Sequence, residues 1–357
     1  MKIAYLTSEL DLSAQSGVNK KIAAQIAAWQ AAGHTVRLFN LGPDTRPMHG
    51  FAGVEFETIP CHTRLDLLRQ SRRLVERVTA WQPELVYLRF YHYYPGYEAI
   101  PARFTTIAEM NTLDINELRS RKKWLLYGYH VLTRTRILKN IAGFVCMTHE
   151  IADSLSGFTG NKLVLPNGIN LSAYETLPPA HNIHPQLVFL AGVKAEWFGL
   201  DKILLLAKNF PAWTFHIIGY DPQEISAAPA NLQVHGTLNQ ADYIHYLRQS
   251  DAAIGTLAFF RKHMQEACPL KVMEYLAYSL PTIIAFKHTD FPDPVPFLLQ
   301  IPNNENGVAG SLDEIRRFVE SWMGRRVDKA AIAHLDSDIK EQKRLAFFEQ
   351  IISENRH

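Results

Sequence analysis

The sequence predicts an α/β protein made of two doubly wound halves, each a parallel sheet flanked by helices. Three observations carry this. Short apolar runs alternate with helical patterns along most of the chain, the signature of repeated βαβ units. The series is interrupted once, by a Pro- and His-bearing stretch at 171–185 that reads as an interdomain linker. A chain of 357 residues is also long for one core and comfortable for two. The expected domains are therefore 1–170 and 186–338, with ligands in a cleft between them.

Composition narrows the class. Hydrophobic content of 47% and charged content of 20% describe an ordinary globular protein. A net charge of +2 is too small to imply nucleic acid as a partner. Cys61, Cys146 and Cys268 have no metal-type spacing and leave an odd count, so reduced thiols in a cytoplasm are expected. No apolar run reaches the length of a membrane span, and Met1 to Leu6 reads as a strand rather than a signal peptide.

Lys2–Thr7 is an apolar run suited to a buried parallel strand. A polar loop from Ser8 to Gly17 leads into a helical pattern over 18–32, through Ile22, Ile26 and Trp29, which Gly33 stops; 35–39 resumes as a strand. The G-x-G-x-x-G of a dinucleotide site is absent from that first turn, which counts against a nicotinamide or flavin enzyme. Gly17 either lets backbone approach a ligand or is a plain turn glycine. The helix at 65–82 turns Leu68, Val75 and Val78 inward and Arg69, Arg72, Arg73 and Arg77 largely outward, the usual mark of a solvated face. Strands at 85–89 and 105–109 bring Arg89, Tyr91, His92, Glu109 and Asn111 to or near the cleft end of the sheet. Arg119, Arg121, Lys122 and Lys123 precede Trp124, Leu125, Leu126, Tyr127 and Tyr129. Composition favours a helix with its aromatics in the core; the other reading is docking on anionic lipid headgroups. A strand at 142–148, a helix at 149–155 and a strand from 163 into the Asn167-Gly168 turn complete this half.

The second series begins with a strand at 187–192 ending in Gly192. A helix at 200–209 follows, then strands at 214–219 (ending in Gly219) and 232–236, a helix at 241–249 and a strand at 251–255. After a loop come a helix near 268–280 and a strand at 282–286, and the chain ends in a helix over 339–352.

The stretch Glu266-Ala-Cys-Pro-Leu-Lys-Val-Met-Glu274 organises the rest. Pro269 suits a first helical position, and Leu270, Met273, Leu276, Ala277 and Leu280 recur at helical spacing. The N–H groups of about Leu270 and Lys271 then point outward at the positive end of the helix dipole, an anion seat. Glu266 lies before the helix and Glu274 about a turn into it, so a carboxylate stands on either side of the seat. Phosphate alone would repel both. A ligand with phosphate in its middle and hydroxyls at each end, such as a nucleotide-sugar, would suit them. The other reading makes Glu274 a solvated acid supporting the dipole.

These residues, in order, resemble the retaining glycosyltransferases of family 4, which have the GT-B fold. The resemblance rests on Glu266 and Glu274 as a Glu-x7-Glu pair around Cys268-Pro-Leu-Lys271, and on Pro166-Asn-Gly-Ile-Asn170. Gly192-Val-Lys-Ala-Glu-Trp-Phe-Gly-Leu-Asp201, His235-Gly236 and Glu109-Met-Asn111 after Arg89 add to it. It implies that Glu274 holds the ribose hydroxyls and Glu266 those of the donor sugar. Cys268, Pro269, Leu270 and Lys271, with Gly192 and Gly219, would form the donor site, and Lys194 would neutralise charge developing on the leaving phosphate. His92 would contact the donor sugar, or else be a cleft-edge or core histidine. Gly17, Arg89, Glu109 and Asn111 fall on the acceptor side. It implies further that the final helix returns to the first domain, that the reaction needs neither cofactor nor metal, and that the acceptor is a glycan or lipid-linked glycan. The protein is expected to work in the cytoplasm, and a secondary reading, drawn from Arg69, Arg72, Arg73 and the 119–124 segment rather than from the resemblance, adds peripheral contact with an anionic membrane. Three departures stand out: Ser16-Gly17 replaces a Gly-Gly pair, Cys268 replaces a capping serine, and Phe198 or a neighbour occupies a basic position. They keep open a non-catalytic GT-B subunit, while a sugar-nucleotide epimerase would share the fold.

Overall fold

The computed structural model describes residues 1–8, 17–43, 51, 53–120, 122–192, 194–225 and 228–355. Ser16, Arg121 and Val193, each part of a sequence reading above, lie outside the described residues. In chain order the first elements are β1 (Lys2–Thr7), α1 (Gly17–Ala31), β2 (Thr35–Gly42), β3 (Glu55–Pro60), α2 (Arg64–Trp81), β4 (Leu85–Arg89), β5 (Thr105–Met110), α3 (Asp114–Ser120), α4 (Trp124–Thr133), α5 (Thr135–Leu138), β6 (Gly143–Cys146), α6 (His149–Ser154) and β7 (Asn161–Val164). Then follow β8 (Gln186–Leu190), α7 (Leu200–Asn209), β9 (Thr214–Ile218), β10 (Leu232–Val234), α8 (Gln240–Gln249), β11 (Ala252–Ile254), β12 (Glu266–Ala267), α9 (Leu270–Ala277), β13 (Thr282–Ile284), β14 (Lys287–His288), β15 (Leu298–Gln300), α10 (Gly307–Gly310), α11 (Leu312–Trp322) and α12 (Ser337–Asn355). No described helix is long and apolar enough to cross a membrane.

The chain divides into two compact units: Met1–Pro166 with Ser337–His357, and Asn167–Asp336. The stretch at 171–185, expected as a linker, lies wholly in the second. Its Leu177 is fully buried beside Val188 and Tyr275, and Asn182 Nδ2 donates to Asp251 Oδ2 at 2.8 Å. Its Pro- and His-bearing composition reads as a tether, but Leu177, the Asn182 hydrogen bonds and the Tyr174 ring against Tyr278 dock it.

The first unit holds a seven-stranded sheet in the order β3-β2-β1-β4-β5-β6-β7, with every pairing parallel. Ile3 and Tyr5 pack with Ile22, Ile26 and Trp29 of α1 and with Phe348 and Ile351 of α12, so the last helix is part of this core. Gly143 makes room for it: a Cβ there would lie 3.0 Å from the Phe347 ring.

The second unit holds a six-stranded sheet, β10-β9-β8-β11-β13-β15, also parallel where paired, and a small β12-β14 pair. Alternation along β8 divides two cores, as a period of two requires. Leu187 and Phe189 face Ile203 and Leu206 of α7 and Ile315 and Val319 of α11. Val188 and Leu190 face Leu247 of α8 and Tyr275 of α9.

Candidate active site in the second unit

In the second sheet the strand order reverses between β8 and β11, and ligands of such sheets bind beyond the carboxyl ends of the strands at that reversal. The loops leaving the two strands are stitched together there. Leu257 N–H donates to Phe198 O and Ala258 N–H to Trp197 O, both at 3.2 Å. Gly219 closes β9 at φ +100°, and a Cβ on it would sit 2.0 Å from Ala191 O, so only glycine lets these backbones meet. Gly192 is exposed, with open space around it.

The organising helix starts one residue later than the sequence suggested. Pro269 is its N-cap, with extended backbone (φ −71°, ψ 135°), and α9 begins at Leu270. Pro269 O accepts from Val272 N–H at 3.0 Å and Met273 N–H at 3.3 Å. Among the described residues the N–H groups of Leu270 and Lys271 have no acceptor. They are the orphan donors of a helix start. The Asn167-Gly168 turn fixes the approach: Asn167 Nδ2 donates to Cys268 O at 2.8 Å, and Cys268 Sγ lies 3.8 Å from Asn167 O. The thiol is thus spent on a neighbouring carbonyl rather than on capping the helix.

Glu266 is buried on β12, in register with Lys287 of β14. Glu274 is half-buried in the second turn of α9 and accepts a 2.5 Å hydrogen bond from Tyr243 Oη of α8. Burial first, and then the Glu274 charge, drive the Tyr243 hydroxyl well above its ordinary pKa, and Tyr174 is raised for the same two reasons. The sequence carried no local sign of these tyrosines, because α8 and residue 174 are far from Glu274 along the chain.

The two lysines of the site differ from expectation. Lys194 is half-exposed and paired, 2.6 Å from Glu224 Oε1 and 3.7 Å from Asp221 Oδ2. Lys271 sends its Nζ inward to 3.4 Å from the Phe198 ring centroid and 4.4 Å from that of Phe189. That nitrogen is buried and has no hydrogen-bond partner, and burial pulls its pKa down to about 7.

Cys268, His288 and Asp290 each offer one donor atom, all within 4.8 Å of one another. A thiolate, an imidazole and a carboxylate would suit zinc. Hydrogen bonds already account for their closeness: Asp290 N–H donates to His288 Nδ1 at 3.3 Å, and Cys268 Sγ lies 3.7 Å from Asp290 Oδ2.

The remaining expected residues belong to the first unit. Arg89, Glu109 and Asn111, read as acceptor contacts, are locked in a charge network. Glu109 accepts from Arg89 at 2.8 Å and Asn111 Nδ2 at 3.1 Å, and pairs with Lys21 at 3.0 Å and Arg344 of α12 at 3.7 Å. Burial opposes the Glu109 charge, but Lys21, Arg89 and Arg344 outweigh it and hold its pKa well below the usual carboxylate range. Arg344 also donates to Glu341 at 2.9 Å and to Tyr87 Oη at 2.6 Å. The last helix thus adds a cation, Arg344, to the charges at these strand ends. His92 packs edge-on against His130, their centroids 5.2 Å apart, and burial with His130 beside it pushes its pKa to about 4. It is neutral at physiological pH. Gly17 opens α1.

Residues 16–168 match the family model described as a glycosyl transferase 4-like domain. No curated protein matches the chain in sequence. Among solved structures it is similar to the sucrose-phosphate synthase of Thermosynechococcus elongatus, with a TM-score of 0.73 at 13% identity over 98% of this chain and 99% of that one. It is also similar to the lipopolysaccharide outer core galactosyltransferase WaaB, with a TM-score of 0.72 at 12% identity over 98% and 100%. A third is Anabaena HepE in complex with UDP-glucose, with a TM-score of 0.62 at 13% identity over 98% and 100%. The chain has the GT-B fold, as the Glu266-x7-Glu274 resemblance implied.

Proposed function

We propose that the protein is a retaining glycosyltransferase that moves a hexose from a nucleoside diphosphate sugar to a hydroxyl of a glycan or glycolipid. The observation that carries this is a helix start with two unfilled N–H donors, set between Glu266 and Glu274 at the strand-order reversal of a GT-B unit. The diphosphate would take the N–H groups of Leu270 and Lys271, where the dipole favours negative charge. Glu274 would accept from the ribose hydroxyls and Glu266 from those of the sugar. The same N–H groups would stabilise charge on the leaving phosphate as the glycosidic bond breaks. A phosphate oxygen of the departing diphosphate would take the acceptor's proton on the face where the new bond forms. Lys194 would serve only by leaving Glu224. Anabaena HepE, similar in fold, was solved in complex with UDP-glucose, which supports a UDP-sugar as the donor class to try first.

Contact with an anionic membrane extends this reading. On α4, Leu125 is 95% exposed, Leu132 77% and Trp124 61%, against the composition-based expectation of buried aromatics. Arg119 and Lys122 before this helix and Arg136 and Lys139 after it are exposed as well. Exposed apolar side chains on a helix flanked in sequence by exposed cations would suit a lipid-linked acceptor at a headgroup surface on the cytoplasmic side.

The deciding measurement is sugar transfer and thermal stabilisation across a panel of nucleotide-sugars. Glu266→Ala is expected to abolish transfer with an unchanged melting temperature, and retained transfer would refute its role. Conversion of a nucleotide-sugar without any acceptor would indicate an epimerase instead. Binding of no nucleotide at all would point to a non-catalytic subunit.

A further inference from the structure

We propose that Cys268, His288 and Asp290 form a zinc site, in which one ion staples the loop entering α9 to the loop leaving β14. All three residues belong to the second unit. The site does not depend on the proposed sugar transfer, no step of which runs through the ion.

The β12–β14 pairing brings the ligands together. Glu266 lies in register with Lys287 and Ala267 with His288, so Cys268 leaves one strand where Thr289 and Asp290 leave the other. Asp290 is 22 residues from Cys268, so no metal-type spacing along the chain announces the cluster. The ribbon has two residues a side and joins neither main sheet, and a two-stranded ribbon is marginal by itself. Cys268 and His288 are buried and Asp290 is half-buried, which leaves the carboxylate side as the way in for an ion. Phe286 and Phe291 lie against the His288 ring, with centroids 6.3 and 5.1 Å away, and keep its surroundings apolar.

The distances fit a tetrahedral ion. Zinc bonded at about 2.3 Å to sulfur and about 2.0 Å to oxygen holds those two atoms about 3.5 Å apart. Cys268 Sγ and Asp290 Oδ2 already stand 3.7 Å apart. All three donor atoms lie within 4.8 Å of one another, so the widest pair closes by no more than about 1.3 Å. Hydrogen bonds hold these groups in place without an ion, but they are long. The thiol proton faces two distant acceptors, Asp290 Oδ2 at 3.7 Å and Asn167 O at 3.8 Å. Asp290 N–H reaches His288 Nδ1 at 3.3 Å, which puts the ring's lone pair on Nδ1 and its proton on Nε2. A thiolate with an imidazole and a carboxylate selects zinc over magnesium or calcium, which take oxygen. On binding, the thiol gives its proton to the buffer. Sulfur, nitrogen and carboxylate oxygen then fill three positions of the ion, and water fills the fourth.

The test uses the full chain, stripped of metal by a chelator, and zinc alone as the probe. Competition with a chromophoric chelator should show one tight equivalent per chain, and the melting temperature should rise with zinc but not with magnesium. Cobalt in place of zinc reports the ligands: the bound ion should show a sulfur-to-cobalt charge-transfer band and the visible absorption of a tetrahedral site. Cys268→Ser should lose that band, whereas Cys146→Ser, in the first unit, should keep it. Asp290→Asn, at a half-buried position, should fold as the parent does and bind zinc at least about a hundred-fold more weakly, beyond what losing a residue that only supports a ligand costs. The chain's 15 histidines offer weak surface sites as the competing explanation. Zinc uptake without the thiolate band, or equally tight in Cys268→Ser and Asp290→Asn, would be an adventitious ion only and would overturn the inference. A parent that takes up no zinc would do the same. Neither result bears on nucleotide binding, which UDP titration of the chelator-treated chain measures separately.

Discussion

Glu109→Gln keeps the shape of the side chain and removes only its charge. In the folded chain that carboxylate faces Arg89 at 2.8 Å, Lys21 at 3.0 Å and Arg344 at 3.7 Å, and it is 2% exposed. After substitution Glu341 is the acid left on Arg344, and Arg89 and Lys21 lose theirs. Removing one member of a buried ion pair costs about 3–5 kcal/mol, because the partner's charge stays buried without compensation. Each kcal/mol lowers the midpoint of a domain of 150–250 residues by about 2–4 °C. The transition of the first unit should therefore fall by roughly 6–20 °C in differential scanning calorimetry, while UDP binding to the second unit is retained. The sign with pH is also set. The folded pKa of Glu109 lies below its unfolded value, so its contribution is complete above the unfolded pKa of about 4.3 and is lost as pH falls toward the folded one. Parent and variant should differ by a constant amount at neutral pH and converge only under acid. A neutral-pH difference below about 1 kcal/mol would refute the view that this network holds α12 to the sheet.

Tyr243→Phe deletes the donor to Glu274. Hydrogen bonds to charged groups contribute about 1.5–3 kcal/mol, so the melting temperature should fall measurably, while Glu274→Ala should weaken UDP binding about ten- to hundred-fold by calorimetry. If Glu274→Ala binds UDP normally, the carboxylate serves the contact with Tyr243 and not the ribose. Trp124→Ala with Leu125→Glu should abolish co-flotation with phosphatidylserine vesicles at low salt without changing the melting temperature. Equal recovery of parent and variant with the vesicles would remove the lipid contact.

Much of the architecture is written in short-range pattern. β4 and α7 occupy the residues expected from apolar periodicity, 85–89 and 200–209, and α1 and α2 shift by one residue. Two-residue strands such as β12 and β14 are too short for any period to register. By contrast α11, with Ile315, Val319 and Trp322 on one buried stripe, has a helical pattern that is legible in the sequence yet absent from the elements expected above. Lys271 also leaves a sign: a lysine in a first helical turn contradicts the dipole. Its backbone N–H alone suggested the anion seat, and the side chain's position on the rings was out of reach of any pattern.

Residue types and spacing alone determined the two βαβ series, the GT-B resemblance and the Glu266-x7-Glu274 frame, because strand and helix periods and an eight-residue interval are local properties of a chain. Tertiary structure decided which charges remain available. Lys194 is engaged by Glu224, 30 residues away. Trp29 donates to Glu341, 312 residues away, beside the Arg344 that reaches Glu109. Lys271 ends on two phenylalanine rings. Whether an ionisable group is paired, buried or open to a ligand depends on neighbours brought together only when the sheets assemble, and no spacing along the chain encodes that.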